Sequence, residues 1–149
     1  MEKGTTTAEE WHSEAAIQGA VVLHLALAGW TVLSVANTAT REHGVDIEAS
    51  RGVDRVVVEV KGYPSRFYAD PRRAGEPKPA LPASQARVWF SQAVYAAMRL
   101  RTTQPTWASV IALPDFPTYR RLSEGVAWAL GQCAVQVWWV SEDGAVTHD

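Results

Sequence analysis

Two acids and a lysine stand at a spacing that suits phosphodiester chemistry. The chain reads Gly44-Val45-Asp46-Ile47, and after twelve intervening residues Asp46 is followed by Glu59-Val60-Lys61. Side chains alternate between the two faces of a strand, so Glu59 and Lys61 point the same way. If the two segments pair about a turn near Gly52, Asp46 comes to lie beside Glu59. Two carboxylates and an ammonium then share one edge of a sheet. A hard divalent cation relieves the repulsion between neighbouring acids, and Mg²⁺ prefers such oxygen ligands, with Mn²⁺ as a substitute. A metal so held stabilises a pentacovalent phosphate and polarises an attacking water. Lys61 would orient that water or neutralise developing charge. The same residues also admit a plainer reading, with Asp46 flanking a turn and Glu59 and Lys61 forming a solvated stripe with Glu48. The elements around them decide between the two.

Those elements are legible in outline. Thr5, Thr6 and Thr7 ahead of Glu9 and Glu10 predict a capped start to a helix running from about Ala8 to Ala28. Its second half is almost wholly apolar, which predicts burial, and Gly29 suits its stop. Three strands are expected next, at Trp30 to Ala36, Val45 to Ala49 and Arg55 to Lys61. The run Val56-Val57-Val58 predicts burial on both faces. Residues 62–82 hold five prolines and two glycines, so a long loop is expected there. A helix from about Ser84, its expected N-cap, to Arg99 follows, then a strand from Trp107 to Leu113. A helix from about Thr118 to Gly131, a last strand from Ala134 to Val140 and a polar tail complete the chain. Short loops predict an antiparallel meander for the first three strands, and intervening helices predict parallel pairing later. The expected class is α/β, one domain of αβββαβ order with a mixed sheet between helices.

In this setting the D…ExK pattern resembles the signature of the PD-(D/E)xK nucleases, the restriction endonuclease-like superfamily. The helix carrying Glu14 ahead of Gly29-Trp30 is similar to the first helix of Holliday-junction resolvases and type IV restriction endonuclease-like members. The resemblance spans roughly Glu14 to Val140 and rests on four residues. It departs from the pattern at Val45, where the superfamily often has a proline that carries no ligand. The resemblance implies Asp46, Glu59 and Glu14 as metal ligands and Lys61 as the residue that handles the nucleophile. It also implies a polar residue on the following helix, where Gln85 and Gln92 both stand, with Gln85 favoured for its place nearer the loop. The implied activity is Mg²⁺-dependent hydrolysis of phosphodiester bonds, most naturally in DNA. A substrate of RNA or a branched junction, and a non-catalytic scaffold that binds nucleic acid or protein, stay open beside it.

Composition narrows the field. With 47% hydrophobic and 20% charged residues, a packed core is expected rather than disorder. The net charge of −2 argues against a protein that coats nucleic acid by charge alone. Cations nevertheless cluster at Arg66, Arg72, Arg73, Lys78 and Arg87, and these are the expected contacts to a nucleic-acid backbone. Tyr63, Phe67 and Tyr68 interleave with Arg66, which suits base stacking or a loop docked on the body. The lone cysteine, Cys133, excludes an internal disulfide and reads as a buried small residue. His12, His24 and His43 share no metal-ligand spacing, and His24 reads as a core histidine. Trp30, Trp107, Trp128, Trp138 and Trp139 read as packing residues. No apolar run reaches the roughly 18 residues of a membrane span, and no signal-peptide pattern opens the chain, so a cytoplasmic location is expected. Cutting both strands of a duplex calls for two copies, so a homodimer is expected, with a recruiting protein partner as an alternative source of specificity.

Overall fold

The computed structural model describes residues 10–37, 46–68 and 70–149. Ser13 caps helix α1, Glu14–Leu27, by accepting a hydrogen bond from the Ala16 N–H. The helix therefore starts six residues later than Thr5–Thr7 predict, and those threonines lie outside the described residues. The shift makes Glu14 the first helical residue. Strands β1 (Thr31–Val35), β2 (Ile47–Arg51) and β3 (Asp54–Val60) follow as an antiparallel meander. Gly52 turns β2 into β3 with a positive φ of 60°.

Helix α2, Pro82–Thr103, leads to β4, Ala108–Pro114. Two short helices, α3 (Pro117–Gly125) and α4 (Ala127–Gln132), lead to β5, Val135–Val140. A final strand β6, Val146–His148, ends the sheet. The six strands form one sheet in chain order, with β3, β4 and β5 parallel and β6 antiparallel. The result is the expected α/β class: a mixed sheet between helices, containing the order αβββαβ. Two successive crossovers that advance the sheet in one direction must lie on one face, given their common handedness. Accordingly α2, α3 and α4 share a face and α1 takes the other.

Alternation along the strands divides the core in two. Ile47, Ala49, Val56, Val58, Val60, Val110, Ala112, Trp138 and Val140 face α1 through Ile17, Val21 and Leu25. Ile111, Leu113, Val135, Val137 and Trp139 face Ala86, Phe90, Tyr119 and Leu130. Val57 is buried on the second face between Val56 and Val58 on the first, as the valine run predicts. Trp138 and Trp139 are both buried, one on each face.

Several expectations are corrected. Helix α2 begins at Pro82 behind Leu81, so Ser84 is not its cap; the fixed φ of proline suits a first helical turn. The helix expected from Thr118 to Gly131 is broken at Val126, whose ψ of 12° interrupts it. Trp128 is 79% exposed and so lies outside the core. The apolar second half of α1 is buried on one side only, with Leu23 and Leu27 open to solvent. Cys133 is half-buried and free. The tail is not all coil: His148 of β6 stacks on Trp138 and meets His24 at 3.0 Å between Nε2 atoms. His24 is thus a half-buried clasp rather than a core residue. His43 lies outside the described residues. No helix among the described residues is long and apolar enough to cross a membrane.

Candidate active site

The register of the meander assembles the site. Ile47 pairs with Val58, so Asp46, one residue before β2, falls opposite Glu59. Residues opposite one another in antiparallel strands share a face. The Asp46 Oδ2 accepts a hydrogen bond of 2.7 Å from the Val60 N–H, which fixes its carboxylate at the end of β3. Glu59 alternates with Val58 and Val60 and so faces away from α1. Lys61 follows on the same side, with Nζ 3.8 Å from the Glu59 Oε1. Its own N–H donates to the Ala112 carbonyl, extending the pairing with β4 one residue past β3.

Glu14 arrives from the other layer. The start of α1 crosses the end of β3 at Gly62, where a Cβ would lie 2.5 Å from the Glu14 nitrogen and 2.7 Å from the His12 carbonyl oxygen. Only glycine admits that approach. The crossing is pinned on several sides. The Tyr63 N–H donates to the His12 carbonyl at 2.9 Å, and the buried Tyr119 hydroxyl donates to the Gly62 carbonyl at 2.7 Å. Phe116 stacks with both Tyr63 and Trp11. Sequence reasoning missed Gly62, Tyr119 and this aromatic clasp. A glycine placed directly after ExK, at a strand end, was the available signal.

The electrostatics tie the acids into one group. Burial pushes the Glu59 carboxyl up to about 7, the Asp46 and Glu14 charges add to the shift, and Lys61 opposes it. Burial also raises Asp46, against the Val60 N–H and Lys61. Glu14 is raised by burial and then by Asp46, again against Lys61. Three carboxylates stripped of water and repelling one another are short of positive charge, and one lysine does not make it up. All their donors are hard oxygens, which suits Mg²⁺ or Mn²⁺. Among the described residues no three acidic, histidine or cysteine side chains converge into a closed coordination set. The acids therefore form an electrostatic cluster rather than a closed coordination set.

Of the two glutamines, Gln92 is turned to solvent and Gln85 inward. Among the described residues the buried Gln85 Oε1 has no hydrogen-bond partner. An unmet buried acceptor costs about 1–3 kcal/mol, an expense that native proteins tolerate mainly at functional sites.

The Pro-rich segment is a built structure. Phe67 pairs with Pro77 in an antiparallel bridge, and a 3-10 turn at Pro71–Arg73 forms the tip. The five cations expected there and on α2 divide into two groups. Arg72 pairs with Asp70 at 3.0 Å and Arg73 with Glu76 at 2.7 Å. Arg66, Lys78 and Arg87 have no side-chain partner among the described residues.

Fold and site together define an α/β protein with a mixed six-stranded sheet and an acidic cluster at the end of its third strand. Two solved structures share the fold: an XisH family protein from Nostoc punctiforme and an fdxN element excision controlling factor protein from Anabaena variabilis. Each is 18% identical over 88% of this chain and 95% of its own, with a TM-score of 0.53. At that identity the likeness is one of fold. No family model and no curated protein matches the sequence.

Proposed function

We propose that the protein is a metal-dependent nuclease of the PD-(D/E)xK type that hydrolyses phosphodiester bonds in DNA. The observation that carries the reading is the convergence of Asp46, Glu59 and Lys61 at one strand end, with Glu14 brought beside them by the start of α1. Asp46 and Glu59 would hold Mg²⁺, with Glu14 completing the set. The bound ion supplies charge for the phosphate and acidity for the attacking water. Lys61 holds that water or a phosphate oxygen through its ammonium. The Gln85 carbonyl oxygen would accept a hydrogen bond from the same water and so help to orient it toward phosphorus. The water oxygen would bond to phosphorus as the bond to the departing strand breaks, the water's proton passing to solvent and the departing oxygen taking up a proton from solvent. Cleavage of both strands enlists a second copy, and the proposed setting is the cytoplasm.

A labelled panel of duplex, single-stranded, branched and RNA substrates tests this reading with the full chain in Mg²⁺ or Mn²⁺. Cleavage of DNA that EDTA abolishes is expected. A folded protein that binds neither ion and cleaves nothing overturns it. The second reading, a non-catalytic scaffold, draws on one observation: a protein of the same fold is named for controlling excision of the fdxN element, not for cutting. Retention of every polar group of the D…ExK pattern favours the nuclease.

A further inference from the structure

The ribbon that follows Lys61 has two chemically distinct faces. Its strands are joined by the Lys78 N–H donating to the Arg66 carbonyl at 3.0 Å and the Tyr68 N–H to the Glu76 carbonyl. These bonds frame the Phe67–Pro77 pair, a position where proline loses nothing by lacking an N–H. Alternation puts Phe67 and Pro77 on one face of the ribbon and Arg66 and Lys78 on the other.

The neighbouring aromatics and cations are already engaged. Tyr63 stacks on Phe116 with ring centres 4.0 Å apart, and its hydroxyl meets Thr118. The Arg73 guanidinium covers Tyr68 at 3.6 Å. Phe67 has no such cover and is 47% exposed. At the tip, Asp70 and Glu76 neutralise Arg72 and Arg73, so the tip offers phosphates little. Arg66 and Lys78, at the base, have no such ion-pair partner among the described residues. The free aromatic face and the free cations therefore lie back to back, a few residues from the acidic cluster.

A ring face needs a base face to stack on, and within continuous duplex every base face is already covered by its neighbours. Base faces are exposed where pairing stops. Phosphates of a strand leaving the helix there would meet the opposite side of the ribbon. We infer that this ribbon is a wedge that recognises the branch point of a forked duplex, stacking Phe67 and Pro77 on the last base pair and holding the diverging strand with Arg66 and Lys78. The inference rests on the nuclease reading for its purpose and names that enzyme's substrate as DNA at a fork.

Binding separates the two claims, because it is measured in EDTA and does not use the acidic cluster. Fluorescence anisotropy of the full chain compares a labelled fork with a duplex of equal length closed by loops at both ends. Wild type is expected to prefer the fork by roughly tenfold, a base-stacking contribution of ordinary size. Phe67→Ala should erase the preference, and Phe67→Trp should keep it. Arg66→Gln with Lys78→Gln should weaken the fork complex and flatten its salt dependence by about two in log–log slope. Arg72→Gln with Arg73→Gln should change the slope less. Equal binding of fork and closed duplex by wild type, or a preference that survives Phe67→Ala, overturns the wedge even if the protein cuts DNA. A Phe67-dependent preference in a protein that neither binds Mg²⁺ or Mn²⁺ nor cleaves with either ion upholds the wedge and overturns the nuclease.

Discussion

Asp46 and Glu59 face one another across the β2–β3 register, and the Val60 N–H holds the Asp46 carboxylate in place by a 2.7 Å hydrogen bond. The bond is charge-assisted and lowers the tendency of Asp46 to take up a proton, while burial raises it. The nearby Glu59 then carries the larger shift. The pair is built at a cost to the metal-free fold. Glu59→Gln should accordingly raise the metal-free melting midpoint at neutral pH by about 3 °C. The same change should weaken Mg²⁺ binding by at least roughly tenfold in calorimetry. A destabilised variant with unchanged metal affinity would contradict both halves.

The pH dependence of stability follows in sign from the raised carboxyls. Glu59 is held at about 7 in the folded protein, against an ordinary value of 4.5. Between those values the folded chain binds more protons than the unfolded one, so stability falls as pH rises and levels off above about 7. Glu14 and Asp46 are raised too and act in the same direction. Urea unfolding in EDTA should therefore show a more stable protein near about pH 5.5 than near about pH 8. Saturating Mg²⁺ should shrink or reverse the difference, because the ion binds the ionised acids. A slope of the opposite sign without metal would mean the acids are not buried together.

Gly62 sets the distance between layers. Gly62→Ala drives a methyl into the backbone of His12 and Glu14, with nothing flexible to yield. A loss of about 1–3 kcal/mol is expected from unfolding curves. Catalysis should fall further than stability alone explains, since Glu14 moves with the helix start. Tyr119→Phe, which removes only the hydroxyl bond to the Gly62 carbonyl, should cost about 1 kcal/mol.

Gln85 and Gln92 differ in role although both lie on α2. Gln85→Leu removes a buried acceptor that has no partner, so the fold should be as stable as wild type or more so. Turnover should drop by roughly 100-fold. Gln92→Leu should leave turnover unchanged. Equal turnover in both variants would remove Gln85 from the site.

The legible part of this molecule was its periodicity and its acids. Short loops between strands were enough to give the antiparallel meander, Val56-Val57-Val58 marked its buried third strand, and D…ExK was enough to bring Asp46 to Glu59. What stayed hidden depends on contacts distant in sequence. The cap falls at Ser13, where the start of α1 meets Gly62, a residue 49 positions away in sequence. The strand β6 is three residues long, too short for a pattern, and is held by the stacking of His148 on Trp138. Proline content marked residues 62–82 as a loop, yet Pro77 sits where a ribbon can use it. The choice between Gln85 and Gln92 needed the packing around α2, since a spacing of seven places both on one face two turns apart and only the neighbours of each turn decide which is covered.

The central claim is that Asp46, Glu59 and Lys61 cut phosphodiester bonds with a bound metal. The most direct measurement is cleavage of labelled forked and duplex DNA in Mg²⁺ by wild type beside Asp46→Ala and Lys61→Ala, with each variant shown to be folded. The account predicts metal-dependent cleavage by wild type, no cleavage by either variant, and metal binding lost in Asp46→Ala but kept in Lys61→Ala. Cleavage that persists in both variants, or a wild type that neither binds metal nor cuts, would contradict it.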